Sequence, residues 1–200
     1  MRSKYLAGTL IVASPKLVDS NFNRSVVLML EHGESGAIGV VLNQPTMTSV
    51  TGAFRSLKGV AAISNPAVVF VGGPVSPQSV IALGRAASPD IMNFLDAVEG
   101  EFDDRIYKQP MNYLFNDIYA VDMDQLTDSR IESLRIFMGY AGWDANQLEE
   151  EIDAGAWFAV DSLTGDVFTS QPDNLWHDVL FRQGGSLAMV ANYPLHPRLN

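Results

Sequence analysis

Through the first ninety residues, apolar positions come in short runs broken by turn-forming residues. Thr9-Leu-Ile-Val-Ala13 and Ala67-Val-Val-Phe-Val71 are near-continuous apolar stretches, the pattern of buried strands. Ser25–Glu31 and Ala37–Leu42 flank Gly33-Glu-Ser-Gly36, and a break of that length with glycine at both ends predicts a hairpin. Asn43-Gln44-Pro45 closes the second run, because the residue before proline is pushed out of helical conformations. Residues 46–63 are ambiguous and allow a short helix around Val50–Leu57, and Ser79–Leu83 predicts the next strand.

Helical signals dominate later. Ser88-Pro89 has the chemistry of an N-cap followed by a first-turn proline, and Ile91, Leu95 and Val98 form one stripe before Gly100. Glu101–Asn112 is acidic and polar, as a loop would be. Strands are predicted near Tyr119–Val121, over Leu134–Tyr140 and over Trp157–Val160. Asp144 and Gln147 have the spacing of a capping box, with Leu148 and Ile152 sharing a helix face and Gly155 as the stop. Pro172–Gln183 predicts a last helix that turns Leu175, Trp176, Val179 and Leu180 inward, and Leu187–Val190 a final strand. Hairpin-like strand runs with helices inserted singly point to an α+β fold rather than a strictly alternating one. No internal repeat, low-complexity tract or linker divides the chain.

Composition narrows the chemistry mainly by exclusion. The chain has 200 residues, 47% of them hydrophobic, enough for a substantial core and incompatible with global disorder. It has no cysteine, so disulfides, thiolate chemistry and cysteine-bound metals are out. The three histidines, at 32, 177 and 196, form no metal-binding spacing, and no cofactor or metal is expected. No window approaches the ~18 apolar residues of a membrane span. A basic Met1–Lys4 precedes an apolar stretch, but Gly8 and Thr9 interrupt it, which favours a first strand over a signal peptide and a cytoplasmic location.

The formal net charge of −10 is unevenly spread: residues 1–89 carry three acids and seven bases, the remainder 20 acids and six bases. The bases are scattered singly, whereas a nucleic-acid reader clusters them against phosphates. Direct nucleic-acid contact and membrane attachment are therefore not expected.

Polar residues with chemical potential collect at predicted strand ends: Ser14, Asp19, Asn21, Arg24, Ser25, Glu31, His32 and Asn43. Ser14, His32 and Asp19 could be drawn as nucleophile, base and orienting acid, although no nucleophile-elbow sequence surrounds Ser14. Arg24 could receive an anion, or could pair with Asp19 or Glu31. Gly72-Gly73-Pro74 suits a tight reversal and also lets a ligand approach the backbone. Trp176 reads as core, and the adjacent His177 and Asp178 are not expected to face each other on a helix.

Three blocks resemble the YqgE/AlgH family of bacterial proteins. The first runs from Gly8-Thr-Leu-Ile-Val-Ala-Ser-Pro15 through Asn21-Phe22, Arg24–Val27, Glu31-His32, Gly36 and Asn43-Gln44-Pro45. The second is Gly72-Gly73-Pro74-Val75; the third is Gly139-Tyr-Ala-Gly-Trp143 with Gln147-Leu148, Glu151 and Gly155-Ala-Trp157. Leu175-Trp176 and Tyr193-Pro194 extend the likeness toward the C-terminus, whereas Arg85–Asn112 carries none of it.

The resemblance implies one domain over residues 1–200, with a bifurcated, mostly antiparallel sheet, part of it barrel-like, surrounded by helices. It brings no established catalytic residues, and some members carry a transcriptional-regulator label. The expectation that follows is a non-enzymatic regulatory or binding protein, acting through a small molecule or a protein partner. Its candidate pocket is Ser14, Asn21, Arg24, Ser25, His32, Asn43, Gly72 and Gly73. The alternative is a hydrolase-type enzyme with His32 as general base and Ser14 or an activated water as nucleophile. The third block reads as fold-specifying, with Trp143 in the core.

Overall fold

The computed structural model describes residues 5–17, 19–54, 60–86, 111–115, 117–121 and 131–194. Ten strands run β1 (Thr9–Ala13), β2 (Val26–Gly33), β3 (Gly36–Val41), β4 (Pro45–Ser49), β5 (Val68–Val71), β6 (Val75–Ala86), β7 (Met111–Phe115), β8 (Ile118–Val121), β9 (Ile131–Asp144) and β10 (Trp157–Asp161). Five described α-helices accompany them: α1 (Val50–Ala53), α2 (Gln147–Asp153), α3 (Thr164–Val167), α4 (Leu175–Phe181) and α5 (Gly185–Ala191).

The main sheet path is β10-β1-β2-β3-β9-β6-β8-β7, all antiparallel. The fork expected from the family resemblance is at β9. One edge of this strand pairs β6, while its other edge takes β5 in parallel at Phe137 and Met138 and then β3 at Ala141–Asp144. β4 pairs β5 and completes the branch. The mixed, forked architecture is as expected, but the barrel-like part is not: the path ends openly at β10 and β7 among the described residues.

Why β1 is a continuous apolar run follows from its position. Leu10 and Val12 enter one core cluster with Val26, Leu28, Val40 and the inner faces of α4 and α5. Ile11 and Ala13 point the other way, into a second cluster with Val27, Met29, Val41, Trp143 and Trp157. Alternate side chains of a strand face opposite ways, so a strand covered on both sides has no polar face to show.

Five described segments differ from the sequence expectation, one of them β7, whose Met111 and Asn112 fall in the stretch expected as a loop. β4 was not foreseen, because Pro-Thr-Met-Thr-Ser is mostly exposed and has no inward apolar stripe. β6 and β9 are 12 and 14 residues long, more than twice the typical strand, and extend well past the apolar centres that announced them. The segment expected as a last strand, Leu187–Val190, lies instead in α5, where Leu187, Val190 and Ala191 pack on the core at helical spacing. The helix expected after Ser88-Pro89 lies outside the described residues.

Candidate functional site

The candidate residues gather chiefly where β1 hands over to β2. Ser14, buried at the end of β1, donates through Oγ to the Gly155 carbonyl at 2.7 Å and accepts from the Lys16 amide at 3.2 Å. Asp19 Oδ1 accepts from the Asn21 amide at 2.7 Å, while Ser25 Oγ donates to the Phe22 carbonyl at 2.9 Å. Asn43, just beyond β3, accepts from the Val26 amide and donates to the Arg24 carbonyl, both at 2.9 Å. Its side-chain amide thus takes the place of a peptide group across the start of β2, where the ladder has run out. Gln44 Nε2 then donates to the Asn21 carbonyl at 2.8 Å.

Arg24 sits at the crest of this turn with φ 52, a left-handed backbone that a non-glycine residue adopts at a cost of about 1–2 kcal/mol. Its guanidinium carbon lies 4.3 Å from the centroid of a Trp176 ring, and Nη2 donates to the Tyr193 carbonyl. Partial burial lowers its pKa from the usual value. Neither expected counter-ion reaches it: Asp19 caps the turn, Glu31 is exposed near the opposite end of β2, and no described carboxylate pairs with Arg24. Trp176 is held rigidly, with its indole N–H donating to the Ala13 carbonyl at 2.8 Å.

His32 is not part of this cluster. It lies six positions along β2 from Val26, about 20 Å at strand rise. Its Nδ1 accepts from the Leu6 amide at 3.0 Å, which leaves the proton on Nε2, 3.2 Å from Glu149 Oε1. Tyr5 packs edge-on at 5.7 Å. Ser14, Asp19 and His32 are each bonded elsewhere, and no acyl-transfer triad is assembled. The hydrolase alternative finds no geometric support.

Gly72 and Gly73 are filled by protein rather than open to a ligand. The Gly72 amide donates to the Met138 carbonyl at 2.8 Å, and its own carbonyl accepts from Val41 at 2.9 Å. A Cβ on Gly72 would stand 2.3 Å from the Gly139 carbonyl oxygen, and one on Gly73 2.3 Å from Tyr140. The pair directly follows β5 and lies against the backbone of β9, so close approach is the reason for glycine, with the backbone of β9 as the approaching group.

The Gly139–Trp157 block builds a clamp. Glu151 Oε2, on α2, accepts from the Trp143 indole at 3.0 Å and from the Trp157 indole at 2.7 Å; Oε1 accepts from Gln147 at 2.9 Å. Gln147 Oε1 in turn accepts from the Asp144 amide at 3.0 Å, but the expected capping box is not formed: Asp144 ends β9, and the helix starts after Asn146, an N-cap with a left-handed backbone and no side-chain cap bond. Phe22 stacks on Trp143 at 6.1 Å and meets Trp157 edge-on at 5.5 Å. The third block therefore packs α2 and the turn around Phe22 onto the sheet.

Sequence reasoning missed the Trp176 and Tyr193 contacts of Arg24, which only the fold brings across some 150 residues. It also missed Arg135, a buried cation whose signal was a lone arginine inside an apolar strand. His177 and Asp178, expected to diverge, do meet at 2.9 Å on the exposed side of α4. Among the described residues no cluster of three or more His, Cys, Asp or Glu could hold a metal, and no helix is long and apolar enough to cross a membrane.

Comparison with known proteins covers nearly the whole chain. The AlgH-like family profile (DUF179) matches residues 10–188. A UPF0301 protein of Streptomyces coelicolor is 44% identical over 200 residues, covering 98% of this chain and 95% of its own. One from Cytophaga hutchinsonii is 32% identical, covering 96% of this chain and 98% of its own. A crystal structure of a Corynebacterium diphtheriae protein superposes with a TM-score of 0.76 at 27% identity, covering 96% and 95% of the two chains. The solution structure of the AlgH protein from Pseudomonas aeruginosa shares the fold, with a TM-score of 0.67 at 23% identity and 97% of each chain covered.

Proposed function

The chain belongs to the AlgH-like family (DUF179), and from that premise we propose that it is a non-enzymatic, cytoplasmic binding protein that receives an anionic group at Arg24. The observation that carries this reading is a half-buried guanidinium stacked on a fixed indole, in a left-handed backbone conformation, without a carboxylate partner among the described residues. A planar fork held this way is suited to a carboxylate or phosphate, and strained backbone tends to persist where function requires it. Asn21, exposed beside it, completes the recognition surface; Ser14, Ser25 and Asn43 position the turn. Gly72 and Gly73 hold the adjoining strand, and His32 anchors the far end of β2.

A regulatory role, if exercised, runs through that ligand or a protein partner rather than through DNA. The scattered bases and the acidic second half of the chain support this reading. The test is a thermal-shift screen of nucleotides, phosphorylated metabolites and carboxylates against the wild type and Arg24→Ala. A ligand at 100 times its Kd stabilises by about 2.7 kcal/mol, or roughly 5–10 °C in a domain of this size. A hit lost in Arg24→Ala supports the proposal; a screen in which no nucleotide, phosphorylated metabolite or carboxylate depends on Arg24, or tight salt-dependent binding to duplex DNA, would sink it.

A further inference from the structure

Arg135 lies in the first half of β9 and is only 2% exposed. A guanidinium so placed ordinarily meets a carboxylate, because a buried charge without an opposite charge is heavily penalised. No described carboxylate reaches this one. Nη2 donates to two backbone carbonyls, Asn65 at 2.8 Å and Thr169 at 2.6 Å, and the guanidinium carbon lies 4.3 Å from the Phe70 ring centroid. Burial lowers its pKa to about 10. Carbonyl dipoles and a ring quadrupole orient the group but supply no negative charge.

Two polar atoms at this junction are left over. Arg135 Nη1 is buried and meets no protein acceptor; the Ser64 hydroxyl, one residue before the Asn65 carbonyl that Arg135 grips, is buried as well and meets no protein partner. Buried polar groups are nearly always satisfied, so each exception calls for a reason. The remaining orphaned side-chain atom among the described residues, Arg85 Nε, lies 2.5 Å from Glu132 Oε1 and so has its counter-ion. Both unexplained atoms therefore belong to residues that flank the Arg135–Asn65 contact, and both can donate. Asn65, next to the buried Ser64, is itself exposed.

We propose that Arg135 and Ser64 are the receiving groups of an anion-binding site between the 64–66 turn and Thr169, taking a compact oxyanion of the phosphate class. Such an anion has several acceptor oxygens, takes a charge-assisted bond from Nη1 and a neutral one from the hydroxyl, and neutralises the buried charge. The site is separate from the Arg24 surface and does not depend on it.

The test is titration of the whole protein with inorganic phosphate, read as thermal stabilisation, with ionic strength held constant by sodium chloride. Glycerol phosphate in a parallel arm distinguishes free phosphate from the end of an organic phosphate, and binding of either supports the site. The wild type is expected to show saturable stabilisation that chloride does not reproduce. Ser64→Ala should weaken phosphate binding by about fivefold, the loss of one hydrogen bond, while the unliganded variant melts at or slightly above the wild type. Each variant is also made in an Arg24→Ala background, which removes the contribution of the Arg24 surface, and there Arg135→Gln should abolish the response. The site is overturned if chloride gives the same shift, if the Arg24→Ala background shows no phosphate response, or if Ser64→Ala in that background binds like its parent. Should Arg135→Gln fail to fold, Ser64→Ala alone decides.

Discussion

Glu151 offers the sharpest test of how the Gly139–Trp157 block works. Replacing it with alanine leaves two indole donors, those of Trp143 and Trp157, without an acceptor; the two residues are 6% and 2% exposed. Each unsatisfied buried donor costs about 1–3 kcal/mol. Because Glu151 itself is half-exposed, water can reach part of the gap, which places the expected loss near 3 kcal/mol rather than at the upper sum. For a chain of this length that is a fall of roughly 6–12 °C in Tm. Glu151→Gln separates charge from geometry. One amide oxygen can still accept from both indoles, but the new NH2 group would face the Gln147 Nε2 donor, and Gln147 cannot turn over without releasing the Asp144 amide. The glutamine variant should therefore lose about 1–2 kcal/mol, and much less when measured in a Gln147→Ala background. Urea unfolding followed by far-UV circular dichroism gives all the values, with Glu150→Ala, an exposed neighbour on the same helix, as the control. A Glu151→Ala variant within about 0.5 kcal/mol of wild type, the usual scatter of surface substitutions, would refute the clamp.

Three further outcomes follow from the geometry. Arg24→Gly should be more stable than Arg24→Ala by about 1 kcal/mol, because only glycine is unstrained at φ 52; equal stabilities in urea would mean that the turn relaxes when the side chain is lost. Asn43→Ala should cost about 1–3 kcal/mol by leaving the Val26 amide and the Arg24 carbonyl unpaired, and faster exchange of the Val26 amide proton should report it directly. Gly72→Ala must push β5 off β9, since the new methyl would stand 2.3 Å from the Gly139 oxygen; we expect loss of soluble protein or destabilisation above about 3 kcal/mol, read by expression and thermal melt.

Much of the strand framework is legible in local pattern. β1, β5 and the β2–β3 hairpin announce themselves, because strands covered on both faces leave uninterrupted apolar runs and tight reversals need glycine. β4 carries no such signal, since an exposed strand forms by pairing with β5 rather than by burying its own side chains. Leu187–Val190 misleads for a related reason: four apolar residues fit either period, and packing of Leu187, Val190 and Ala191 on the core decides for helix.

The candidate site divides in the same way. Ser14, Asn21, Arg24, Ser25 and Asn43 are neighbours because turn chemistry at adjoining strand ends is local, and the sequence alone put them together. What each one does was settled in three dimensions. Arg24 found Trp176 and Tyr193 instead of Asp19 or Glu31, His32 found Leu6 and Glu149 instead of Ser14, and Gly72 found the backbone of β9. Periodicity and turn propensity are properties of a few consecutive residues, so they survive in a linear reading. The partner that satisfies a buried donor or charge is supplied by whichever distant segment the packed sheet brings within 3 Å, and only the tertiary structure makes that choice.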